Sequence, residues 1–192
     1  MALKRTYQVQ SKYAPNAKRP RLNIPGLLRL VETKEFTNVY GAGLANGTVG
    51  YADLCNIAQG SAANQRIGNK VQILKVEIRG CTNLTAAPAW ASIYIVAPKD
   101  NAVPTASWCA GVPGGHINPL FGNELALKVY HTSQTPSPRI IWKPKYPWIV
   151  QYSDAAGNAG FRNRCFLMVS NFGAPAATLT PALSYKVWYR DL

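Results

Sequence analysis

Fifteen glycines and fourteen prolines punctuate this 192-residue chain so regularly that no window longer than a turn or two can run as an amphipathic helix. What lies between them is strand-like. Val71-Gln-Ile73-Leu-Lys75-Val76-Glu77-Ile78-Arg79-Gly80 sets aliphatic residues at 71, 73, 76 and 78 between polar ones, and its change of phase at Leu74-Lys75 predicts a bulge. Trp90 to Ala97 reads as a buried strand that stops at Pro98. Further strands are expected in 30–40, 49–57, 126–131, 139–152, 164–171 and 183–191, with Pro144 and Pro147 dividing the 139–152 stretch or placing it at an edge. About eight strands from residue 29 to 192 predict an all-β, two-sheet antiparallel sandwich. A single jelly roll is the leading topology, and another Greek-key sandwich fits the same pattern.

Charge divides the chain differently. Residues 1–29 carry Lys4, Arg5, Lys12, Lys18, Arg19, Arg21 and Arg29 with no acid, whereas residues 30–192 carry fourteen basic and eight acidic side chains. More than half of the net +13 therefore sits in a short N-terminal piece. Pro15, Pro20 and Pro25 interrupt any helix there, and Tyr7, Tyr13 and Leu22 are too few to make a core. Residues 1–28 are expected to be a basic arm, disordered in the free protein, that binds nucleic acid. Within it, Lys18-Arg19-Pro20-Arg21 resembles a short nuclear localisation signal whose partner would be a host nuclear import receptor; purely electrostatic use of the same cluster is the alternative. The N-terminus lacks the apolar stretch of a signal peptide, and no apolar run approaches the ~20 residues of a membrane span, so a secreted scaffold and membrane insertion are not expected.

Reaction chemistry finds little support. Cys55, Cys81, Cys109 and Cys165 are too widely spaced for a zinc motif, and His116 and His131 have no partner motif. Scattered, reduced, mostly buried thiols are the expectation. Gly41-Ala-Gly43-Leu-Ala-Asn-Gly47 misses the dinucleotide fingerprint by one residue and opens no helix, so it reads as a turn. The eight acids are scattered, and no serine lies in a G-x-S-x-G elbow. No enzyme activity, cofactor or metal is expected.

The most specific stretch is Ile57-Ala-Gln59-Gly60-Ser-Ala-Ala-Asn64-Gln65-Arg66-Ile67-Gly68-Asn69-Lys70-Val71, a Gly- and Asn-rich turn running into the clearest strand. Arg66 and Lys70 flank that turn, where they either touch phosphate or belong to a well-formed loop. Together with Glu32-Thr33-Lys34 and the closing Tyr185-Lys-Val-Trp-Tyr189-Arg-Asp191, this segment resembles the capsid proteins of small circular single-stranded DNA viruses. Satellite-type RNA virus coats have similar shells. The resemblance implies a jelly-roll shell subunit, sixty copies in the smallest icosahedral (T=1) particle, with arms directed inward onto packaged single-stranded nucleic acid. It places the protein in the virion and, during assembly, in the host nucleus. DNA is preferred over RNA because the Lys18–Arg21 cluster suits nuclear import. Tyr7 and Tyr13 would stack on bases or stay solvated. Trp108, Trp142 and Trp148, in or near Pro-rich loops, would anchor subunit interfaces or pack in their own core, whereas Trp90 and Trp188 are assigned to the core or inner face. The rival reading is a monomeric or dimeric β-sandwich that binds single-stranded nucleic acid through the same arm.

Overall fold

The C-terminal segment shows how alternation builds the molecule. Leu179, Leu183, Tyr185, Val187 and Tyr189 are buried, while Thr178, Thr180, Ala182 and Ser184 between them face out. One side of the strand is core and the other is surface. The computed structural model describes residues 32–85, 89–100, 102–109, 115–131, 137–153, 159–173 and 178–192. They form strands β1 (Lys34–Tyr40), β2 (Val49–Asp53), β3 (Lys70–Thr85), β4 (Ala89–Pro98), β5 (Gly122–His131), β6 (Arg139–Trp142), β7 (Trp148–Tyr152), β8 (Ala159–Arg162), β9 (Phe166–Gly173) and β10 (Thr178–Asp191). One 3₁₀ turn, Ala106–Trp108, is the only helical element among the described residues.

The strands fall into two antiparallel sheets. The larger runs β1-β10-β3-β7-β8, with β6 also paired to β3; the smaller runs β2-β9-β4-β5. The pairing is nested: β1 with β10, β2 with β9, β3 with β6 and β7, β4 with β5. A long antiparallel ribbon folded on itself gives this pattern, and it is the jelly roll that the sequence predicts. The expected division of 139–152 is present as β6 and β7, which share one edge of β3 at Val76–Arg79 and Lys70–Ile73. The expected bulge is present too. Trp188 pairs with Lys75 and Tyr189 with Ile73, so Leu74 is the extra residue that shifts the phase.

Between the sheets lies the main core. Ile73, Val76 and Ile78 of β3 meet Ile93 and Ile95 of β4, Leu167 and Val169 of β9, and Tyr185 and Val187 of β10. Residues 91–97 are buried without alternation, because β4 is covered on both faces. On its second face Tyr94 and Val96, with Phe166 and Met168 of β9, pack against Trp108, Cys109 and Ile117 from the β4–β5 connection. That connection is pinned by Asn118 N–H donating to Trp108 O at 2.8 Å and Tyr94 Oη donating to Gly115 O at 2.9 Å. Burial pushes the Tyr94 hydroxyl up to about 12. Cys55, Cys109 and Cys165 are buried free thiols, with Cys55 and Cys165 Sγ 3.3 Å apart.

Candidate nucleic-acid interface

Arg66, expected to reach phosphate, does not face solvent. Its side chain is fully buried, with Nε donating to Ile57 O at 3.0 Å, Nη1 donating to Gly68 O, and the guanidinium 4.0 Å from the centre of the Tyr152 ring. The loop turns around this cation, which satisfies carbonyls that would otherwise be stranded inside. The backbone closes the same turn: Gly60 N–H donates to Arg66 O and Arg66 N–H to Ala58 O. Lys34 of β1 then donates to Gln65 O at 2.8 Å and pairs with Asp191 of β10 at 3.0 Å, and Asp191 accepts from Ile67 N–H. Three sequence segments far apart in the chain thus meet in one knot: Lys34, the 57–71 loop and the closing Asp191. Arg66 is therefore a folding residue. Lys70 differs, being exposed at the start of β3.

The tryptophans also require correction. Trp108 is 2% exposed, stacked on Phe121 beneath the β4–β5 connection, so it has no surface to offer a neighbouring subunit. Trp142 and Trp148 are half-buried against the main core and meet edge to face, ring centres 5.2 Å apart. Trp148 Nε1 donates to Asn163 O at 2.8 Å. Part of each remains at the surface. Trp90 and Trp188, assigned to the core or inner face, are not core residues. Trp90 is 41% exposed at one end of β4, and Trp188 lies on the outward side of β10. Alternation is the reason, since Tyr185, Val187 and Tyr189 take the inward positions of that strand.

Trp188 sits in a charged patch that strand-by-strand reading did not assemble. On the outward face of the larger sheet, Lys186 pairs in register with Glu77, Ser184 with Arg79, and Arg79 in turn with Arg139 of β6. Glu77 is covered: Lys75 Nζ lies 2.6 Å from its Oε2, Arg139 Nε 3.1 Å from its Oε1, and Arg79 binds the same Oε1. The Lys75 hydrogen bond, aided by Arg79 and Arg139, lowers the Glu77 carboxyl to about 2 despite its burial. One carboxylate thus serves three cations. Lys75 Nζ also sits 4.0 Å from the Trp188 ring centre and Lys186 Nζ 5.5 Å from it. Thr37, Glu77, Arg79, Ser184, Tyr185, Lys186 and Trp188 line a hollow of about 250 Å³. The signal was present as two period-2 runs, Lys75-x-Glu77-x-Arg79 and Lys186-x-Trp188-x-Arg190, but only the β3–β10 register shows that they are neighbours.

Lys4, Arg5, Lys12, Lys18, Arg19, Pro20, Arg21 and Arg29 lie outside the described residues, as do Tyr7 and Tyr13. Among the described residues no group of three His, Cys, Asp or Glu side chains is placed to hold a metal ion. No protein-family model matches the chain, and no curated protein matches it.

Proposed function

We propose that this chain is a non-enzymatic shell subunit that assembles into a sixty-copy T=1 icosahedral capsid and packages single-stranded nucleic acid, DNA in preference to RNA, through its basic N-terminal arm, residues 1–28. The observation that carries the reading is a jelly-roll domain joined to a segment with seven cations and no acid. Jelly rolls are a recurrent viral shell fold, though they also occur in lectins and cupins, so the arm makes the distinction. Flexible Lys and Arg side chains neutralise phosphates without reading sequence and release counterions as they bind. Sixty copies of residues 1–29 bring about 420 positive charges and the whole shell about 780, enough to balance on the order of a kilobase of single strand. Half-buried Trp142 and Trp148, and the exposed Tyr146 between them, leave apolar and aromatic surface for contacts between copies. Negative-stain electron microscopy of the purified full chain, paired with its 260/280 nm absorbance ratio, tests this. Uniform small particles that carry nucleic acid are expected. A monomer at every salt and pH would favour the rival binding module.

A further inference from the structure

We propose that the outward face of the larger sheet is a second contact for single-stranded nucleic acid, with a base stacked on Trp188 and phosphates held by Arg79, Arg139 and Lys186. This inference rests on the packaging reading and adds a built site to it. Arg79 and Arg139 are about three-fifths exposed, 61% and 59%, so their donors remain open to an anion although each touches Glu77. Glu77 does not repel that anion as a free carboxylate would, because three cations surround it; with Lys186, which pairs with Glu35 at 3.1 Å, the face holds four cations against two carboxylates and keeps two positive charges. The hollow is small for a site that encloses a metabolite, and it is rimmed by long basic side chains. The cations are also distributed across β10, β3 and β6 instead of converging on one point. A chain of regularly spaced phosphates fits such a track better than one compact anion. Trp188 supplies the second half of the chemistry: a half-buried ring with the flexible Lys75 side chain over it at 4.0 Å, which a base displaces when it stacks in a sequence-tolerant way.

The test is ultraviolet cross-linking of the full chain to an oligodeoxythymidine carrying 5-bromodeoxyuridine, followed by tryptic mapping. Cleavage after Lys186 and Arg190 isolates Trp188 in the peptide Val187–Arg190. We expect an adduct on that peptide, absent from Trp188→Leu and retained in Trp188→Phe. Lys186→Ala, a surface change, is expected to weaken oligonucleotide binding about 3- to 10-fold and to reduce the salt slope by about one. Adducts confined to residues 1–29, with both effects missing, would overturn the sheet-face site and leave the packaging reading standing. No adduct anywhere, with no binding at low salt, would overturn both.

Discussion

At the scale of single residues, Glu77 meets three cations with one carboxylate. Its carboxyl is lowered from 4.5 to about 2, so the stability it brings is complete above about pH 4.5 and is lost as the pH falls towards 2. Glu77→Gln should cost about 1 kcal/mol at pH 7, because Arg79 and Arg139 stay well solvated. The gap between wild type and variant in urea midpoint should then close between pH 5 and pH 2; a gap that stays constant would show that the carboxylate is not the charged partner. Gly80 constrains the backbone instead. It has φ 151°, and a Cβ there would collide with the carbonyl oxygen of Ala182 and sit 2.8 Å from Leu183 Cα. Gly80→Ala is expected to destabilise the domain by about 2 kcal/mol or more, read as a lower urea midpoint at unchanged slope.

Among the elements, the 57–71 loop makes the most specific prediction. Arg66→Met keeps the buried volume and deletes the donors to Ile57 O and Gly68 O, so the domain should lose about 2–4 kcal/mol. Amide exchange should quicken first at Gly60 and Arg66, while oligonucleotide affinity of the full chain stays the same. An affinity loss without a stability loss would return Arg66 to the binding surface. The same loop shows how far sequence can be read. Strands such as 71–80 and 90–97 were legible because aliphatic periodicity or a bounded apolar run marks them directly. β8 was not, since four residues are too few to carry a periodic signal. The start of β10 at Thr178 was hidden by Pro181, which a central strand should not contain. Here β10 lacks a β1 partner at that point: the ladder stops at Leu183, and contact with the other side resumes only at the Leu44–Leu179 bridge. Arg66 and Trp108 were misplaced for a shared reason. A basic or aromatic residue in a loop looks exposed until the elements that cover it, Tyr152 in one case and Phe121 in the other, are known.

For the whole molecule, the prediction concerns the division between arm and domain. Deleting residues 1–28 should leave a domain with an unchanged urea midpoint and remove most low-salt affinity for single-stranded oligonucleotides. Unchanged affinity would refute the arm as the principal binder. Replacing Lys18, Arg19 and Arg21 with Ala should keep a fluorescent fusion of the full chain out of the nucleus; continued accumulation there would remove the targeting role.

The β4–β5 connection has a further effect at this scale. By packing Trp108, Cys109 and Ile117 on the smaller sheet, it covers part of that side of the sandwich with its own chain, while the larger sheet keeps an open charged face. Such a body has a top and a bottom before it meets any neighbour. The difference between its two sides is set by the folding of a single chain.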